Sequence, residues 1–380
     1  MKIAFLSTFY PFRGGISQFN GLIYRELEKH HQVQAYSFTR QYPNILFPGK
    51  TQYVTEKDTV DRIPTKRVLD TINPFSYLKT AREIRKFAPD LFLSRYWMPF
   101  FAPSHGFVAG RMKSAVRIAI LDNVIPHEQR FFDGPLNRYF LKRFDGFVVM
   151  SDAVMKDLLS IRPNAPYLRI DHPSYSQFGE RKDAQKAKEL LGLSQEKKIL
   201  LFFGIIRDYK GLGVLLDAFA KLDESYHLVI AGESYGSFEK YQKQMDVLGV
   251  GDRISLFNEY IPEDEVSNYF SAADVCVLPY LSATQSGITA IAHHFGVPVI
   301  VTDVGGLKET VLHEETGLVI EKPDATILAG AIQRYYAEEF KERFSKRLLE
   351  NQEEDPWDHF VGELLNFYQE LKAKKGNVFE

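Results

Sequence analysis

Short apolar runs alternate with amphipathic stretches along this chain, and the alternation occurs twice, with a proline-rich break between. In the first pass, Lys2–Ser7, Val33–Phe38, Leu91–Ser94, Arg117–Leu121 and Gly146–Met150 read as strands, with helices over Ile16–Lys29 and Tyr77–Phe87. Strands separated by helices imply parallel pairing, because a parallel connection must cross back over the sheet. Between residues 163 and 177, Pro163, Pro166 and Pro173 each remove a backbone donor and leave little helical pattern, so this stretch is expected to be a domain linker. The second pass places strands at Lys198–Phe203, His227–Ala231, Ile254–Phe257, Val275–Pro279 and Val299–Thr302. Its helices are Val214–Leu222, Phe238–Leu248, Glu263–Ala272, Ile288–Phe295 and Ala325–Tyr336. The fold class is therefore α/β, with two Rossmann-like, doubly wound domains facing a central cleft. Ligands are expected where the strands' carboxyl ends meet that cleft. The expected domains are residues 1–175 and 176–355. A C-terminal helix in 356–380 is expected to pack back toward the first domain through Trp357, Phe360, Leu364, Phe367 and Leu371.

A chain of 380 residues exceeds what one core usually serves, which agrees with two domains. The single cysteine, Cys276, excludes an internal disulfide and reads as a core residue. The opening Met1-Lys2-Ile3-Ala4-Phe5-Leu6 is too short for a signal-peptide core, and no run approaches the roughly 18 apolar residues of a membrane span. A cytoplasmic setting is the expectation. The net charge of −2 hides an asymmetry: the first 175 residues carry 25 Lys and Arg against 15 Asp and Glu, near +10, leaving the rest near −12. Lys79, Arg82, Arg85 and Lys86, with Arg138, Lys142 and Arg143, suit a phosphorylated acceptor or anionic headgroups. Peripheral contact with the inner face of a membrane follows, with Trp97, Phe100 and Phe101 expected at the cleft mouth. Nucleic acid is not an expected partner.

Three turns follow strand ends. Tyr10-Pro11-Phe12-Arg13-Gly14-Gly15-Ile16-Ser17 places Gly14 and Gly15 where backbone N–H groups can approach a phosphate at a helix start. It is not G-x-G-x-x-G, which disfavours a nicotinamide dehydrogenase. In Gly204-Ile205-Ile206-Arg207-Asp208-Tyr209-Lys210-Gly211, two cations bracket a turn where they can neutralise a diphosphate. In Tyr280-Leu281-Ser282-Ala283-Thr284-Gln285-Ser286-Gly287, hydroxyls and free N–H groups at a helix start form an anion site without a metal. No D-x-D pair occurs, so neither a metal nor another cofactor is expected.

Together these pieces resemble the retaining glycosyltransferases of family 4, which have the GT-B fold. The resemblance runs through Gly14-Gly15, Gly204 to Gly211, Ala231-Gly232-Glu233, Ala272-Ala273-Asp274-Val275, Gly296-Val297-Pro298-Val299, Gly305-Gly306-Leu307-Lys308-Glu309 and Gly317-Leu318-Val319. It implies a nucleotide-sugar donor and a glycan or lipid-linked acceptor. It also implies that Arg207 and Lys210 hold the diphosphate, that Glu233 belongs to the donor site, and that Tyr260 and Ile261, within Asn258–Ile261, meet the base.

The family usually carries two glutamates eight positions apart near the third turn. Anchoring on Gly296 gives Ala283 and Ile291, and anchoring on Ser286-Gly287 gives Thr284 and Ala292, so neither register supplies an acid. Thr284, Gln285, Ser286 and Gly287 are the expected replacements. The family's histidine after the Arg117–Leu121 strand is Asp122 here, with His127 and Glu128 following; these three are the expected groups that orient the donor sugar or the acceptor hydroxyl. A non-catalytic nucleotide-sugar-binding protein and a nucleotide-sugar epimerase are the alternative readings.

Overall fold

The computed structural model describes residues 1–376 apart from 44–46, 48, 57, 59, 127–129, 285 and 353–354. Its first sheet holds β1 (Lys2–Leu6), β2 (Gln32–Arg40), β3 (Thr65–Asp70), β4 (Leu91–Tyr96), β5 (Val116–Leu121), β6 (Gly146–Val149) and β7 (Tyr167–Arg169). They lie in the order β3-β2-β1-β4-β5-β6-β7. The second holds β8 (Lys198–Phe203), β9 (Tyr226–Ala231), β10 (Ile254–Phe257), β11 (Val275–Leu278), β12 (Val299–Thr302) and β13 (Gly317–Ile320), ordered β10-β9-β8-β11-β12-β13. Every pairing in both sheets is parallel.

The central strands are covered on both faces, which is why they read as unbroken apolar runs. β4 and β11 are buried along their whole length. Of the four edge strands, β10 is legible in the sequence while β3, β7 and β13 escape it, β3 for the converse reason. β3 is Thr-Lys-Arg-Val-Leu-Asp, whose charges suit a sheet edge but hide the strand signal. β7 lies inside the stretch expected to be linker. Its three residues pair with β6, so the connector begins later than the prolines suggested.

Trp97, Phe100 and Phe101, expected at the cleft mouth, are part of first-domain packing instead. Phe101 is fully buried, with the Trp97 ring 4.2 Å away. Phe100 stacks on Tyr42 at 5.8 Å, and the Trp97 indole N–H donates to the Tyr42 hydroxyl at 2.8 Å. Aromatic rings that find each other in this way bury more area than they would at a rim.

The C-terminal helix Pro356–Gly376 leaves the second domain and returns to the first, as its stripe implied. Trp357 and Phe360 meet the Phe19 ring edge-on at 4.9 and 5.6 Å, and the Trp357 N–H donates to the Ser174 carbonyl at 2.9 Å. At its far end, a Cβ placed on Gly146 would lie 2.5 Å from Leu371 Cδ1 and 2.7 Å from Phe367 Cζ. Gly146→Ala is therefore expected to lower stability by about 1–3 kcal/mol through overpacking. A melting curve superimposable on the parent would mean that the helix does not seat on β6.

Candidate functional site

Both sheets reverse their winding direction once, between β1 and β4 and between β8 and β11, and a crevice opens outside the carboxyl ends of such strands. A cleft of about 450 Å³ lies where the two crevices meet. The segments after β1 and β5, together with Arg95 near the end of β4, supply one wall. Loops after β8, β9, β10 and β11 supply the other, and the interdomain connector supplies His172, Tyr175 and Phe178.

On the second-domain wall, Lys210 is buried on a short 3-10 turn after β8. Its ammonium lies 5.5 Å from the centre of the Tyr280 ring, and among the described residues no carboxylate pairs with it. Burial pulls its pKa down to about 8, with a smaller contribution from the Arg207 charge. Facing it, the helix Gly287–His294 begins at the cleft, with the Ser286 hydroxyl accepting the Ile288 N–H at 3.3 Å. A buried cation beside a helix start is an environment made for a negative group.

The loop before that helix is set by close backbone approach. A Cβ on Gly305 would lie 1.5 Å from the Ala283 carbonyl oxygen, and one on Gly306 would lie 2.3 Å from that of Thr284. Only glycine lets this strap settle. The Thr284 carbonyl then accepts the Ser151 hydroxyl of the first domain at 2.9 Å. The neighbouring Glu309 carboxylate accepts the N–H groups of Asp152 at 2.7 Å and Ala153 at 3.2 Å, capping the first-domain helix Asp152–Ile161.

A second bridge crosses the cleft itself. Arg13, just before the Gly14-Gly15 turn, forms an ion pair with Glu233 at the end of β9, and their side chains are 9% and 2% exposed. The other Glu233 oxygen accepts the Lys50 N–H at 2.7 Å, and the Arg13 guanidinium lies 4.5 Å over the Tyr260 ring. Gln18 donates to the Tyr260 hydroxyl at 3.3 Å and to Glu263 at 2.8 Å. Burial, more than any neighbour, pushes Glu263 up to about 6.

On the first-domain wall, the Asp122 carboxylate accepts the Arg95 Nε–H at 2.6 Å. Arg95 is nearly buried and lies 3.9 Å over the Phe19 ring. Among the expected site residues, Gly14, Gly15, Asp122, Lys210, Glu233, Tyr260, Ile261, Thr284, Ser286 and Gly287 all line the cleft. Arg207 does not; its guanidinium lies 6.0 Å from the Tyr235 ring. His127, Glu128 and Gln285 lie outside the described residues. Of the two alternative registers for the family's glutamates, one places Ile291 and the other Thr284 in the cleft lining, an apolar and a polar group and neither an acid. Sequence reasoning missed Arg13, Arg95, His172 and Tyr175. The arginines carry no pattern that separates them from surface charges, and the other two sat in a stretch read as connector.

Residues 183–355 match the family model described as glycosyl transferases group 1. The D-inositol 3-phosphate glycosyltransferase of Thermomonospora curvata is 30% identical over 204 residues, covering 50% of this chain and 47% of that protein. The chain spans about half the length, or less, of the curated relatives it matches. Among solved structures, sucrose-phosphate synthase from Thermosynechococcus elongatus superimposes with a TM-score of 0.79 at 19% identity, covering 98% of this chain and 100% of that one. HepE of Anabaena in complex with UDP-glucose gives a TM-score of 0.73 at 14% identity over 99% of this chain and 100% of that one. At these identities the likeness speaks for the two-domain fold.

Proposed function

We propose that this chain, a GT-B protein whose residues 183–355 carry the group 1 glycosyl transferase pattern, moves a sugar from a nucleoside-diphosphate-sugar donor to an acceptor hydroxyl. The observation that carries this reading is Lys210. A buried ammonium without a described acid partner, opposite a helix start, is costly until an anion comes close, and a diphosphate supplies one. The nucleoside then extends toward Tyr260 and Ile261, and the sugar toward Asp122.

Retention of configuration is part of the proposal. The two cleft carboxylates described, Asp122 and Glu233, are each paired with an arginine, which suits them to hold groups in place more than to attack or shuttle protons. A departing phosphate neutralised by Lys210 can itself accept the acceptor's proton, so positioning and charge stabilisation carry the rate. On this reading no metal is needed, and activity in excess EDTA is expected to equal that without it. Incubation with a panel of nucleotide sugars and simple acceptors, followed by assay of released nucleotide and product anomer, tests the whole reading. A sugar isomerised with no transfer would favour an epimerase, and bound nucleotide without turnover would favour a binding protein.

The proposed acceptor is a glycan carried at a membrane surface, reached through the basic first domain. Its helices Pro74–Phe87, Ala102–Ala109 and Asp133–Leu141 lie side by side. Phe75, on the first of these helices, is 81% exposed and Phe131, just before the last, is 95% exposed, close along the chain to the basic residues Lys79, Arg82, Arg138 and Lys142. Aromatic tips beside cations suit an anionic bilayer. Co-sedimentation with anionic vesicles is expected to exceed that with neutral ones, to weaken as salt rises, and to fall in the Phe75→Ser/Phe131→Ser double variant. Equal, negligible binding to both vesicle types would favour a soluble acceptor.

A further inference from the structure

The connector between the domains contributes chemistry of its own. His172 Nδ1 lies 2.8 Å from the Pro173 carbonyl oxygen, which can only accept, so the ring proton sits on Nδ1. Nε2 is then an acceptor, and the Tyr175 hydroxyl donates to it at 3.1 Å. With its proton engaged there, the Tyr175 oxygen offers lone pairs. Both residues line the cleft, and the hydroxyl lies 3.3 Å from where a Cβ on Gly287 would stand, beside the helix start assigned to the diphosphate.

Two more oxygens belong to the same end. Asp122 is ion-paired with Arg95, and both charges are felt by His172 and by Tyr175. Next to Asp122, the Asn123 side-chain oxygen is buried, lines the cleft and has no hydrogen-bond partner among the described residues. Burial pulls His172 down to about 4, so the ring stays neutral near pH 7 and its acceptor stays in place.

We propose that Asp122, Asn123 and Tyr175 present an acceptor-rich subsite that takes a neutral, hydroxyl-bearing sugar and turns away a uronate or a phosphorylated sugar. Tyr175 is a positioning and specificity residue in it, and His172 acts through Tyr175. The inference rests on the nucleotide-sugar reading above and narrows its substrate class. The physical basis is asymmetric. A sugar hydroxyl donates to the Asn123 oxygen, which is buried and without a partner among the described residues, and to the Tyr175 lone pairs, whereas a carboxylate brings a second negative charge beside Asp122 and against those two lone-pair faces.

The test is titration calorimetry on the full chain with UDP, GDP, and the matched pairs UDP-glucose with UDP-glucuronate and GDP-mannose with GDP-mannuronate. The neutral sugar is expected to bind at least about tenfold tighter than its uronate. Tyr175→Phe keeps the ring packed on Phe178 and His172. It is expected to weaken the neutral nucleotide sugar about fivefold to tenfold while leaving the bare nucleotide unchanged. A merely structural role would shift both together. His172→Phe frees the Tyr175 proton and is expected to narrow the preference over the uronate. Asn123→Ala reads the same subsite should Tyr175→Phe fail to fold. Bare nucleotide binding with equal affinity for both sugars, or no change in the variants, overturns the subsite alone. Binding of none of these nucleotides overturns the nucleotide-sugar reading and the subsite with it.

Discussion

Replacing Lys210 with methionine is expected to weaken nucleoside-diphosphate binding by about 10- to 100-fold, the loss of one charge-assisted contact at roughly 1.5–3 kcal/mol. Arg207→Ala, outside the cleft lining, is expected to change affinity much less. The same lysine sets the pH dependence. With its pKa pulled down to about 8, affinity is expected to be flat below pH 7.5 and to fall as pH rises through 8, because the neutral amine no longer balances the phosphates. Bound anion raises that pKa again, so binding above pH 8 takes up a proton.

Stability runs in the opposite direction. The ordinary lysine value is 10.5, so between about pH 8 and 10.5 the unfolded chain holds a proton that the folded chain has released. Unliganded protein is therefore expected to gain stability as pH rises through that window, and the cost of the buried charge is fully present below it. Lys210→Met removes the cost and is expected to stabilise the unliganded protein by about 3 kcal/mol at pH 7 while impairing binding. Denaturant melts at pH 7 and 10, beside calorimetric titrations at both, measure the two effects. A variant that loses stability and keeps its affinity would remove Lys210 from the anion site.

Arg13→Met is expected to cost about 3–5 kcal/mol, because it leaves the Glu233 carboxylate buried and without its charge partner. The cost should appear as separation of the domains before either sheet melts. Arg13 and Gln18 stand on the first domain, and Glu233, Tyr260 and Glu263 on the second. Small-angle scattering is expected to show an extended population in the variant. The double variant Arg13→Met/Glu233→Met is expected to recover most of the loss, since an apolar pair of similar volume removes both charges at once. The Lys50 N–H loses its acceptor in the double variant, so recovery stays incomplete. A double variant no more stable than the single one would mean that the pair acts through contacts other than charge.

How much of this was legible in the sequence follows from how far each signal reaches along the chain. β1, β4, β8 and β11 are central strands whose two buried faces demand apolar side chains, and their order of appearance with intervening helices implies parallel, doubly wound sheets. The same local logic located Gly14, Gly15, Lys210, Thr284, Ser286 and Gly287, because each sits at a strand end that leads into a helix or a short helical turn. Edge strands β3 and β7 stayed hidden, since one exposed side permits charge and proline there.

Tertiary structure decided what local pattern cannot carry. Arg13 and Glu233 are 220 residues apart, and Ser151 and Thr284 are 133 apart, so nothing in either neighbourhood marks them as partners. Lys210 and Arg207 look alike as sequence, two cations on one turn. Only the packing of that turn against Tyr280 and the helix Gly287–His294 turns one into the cleft and leaves the other beside Tyr235. The sequence by itself determined the two sheets and the turns that face one another, through periodicity and glycine placement. The folded chain alone decided which charges are buried, which are paired and which are left to meet a ligand, because burial depends on what the rest of the molecule brings alongside.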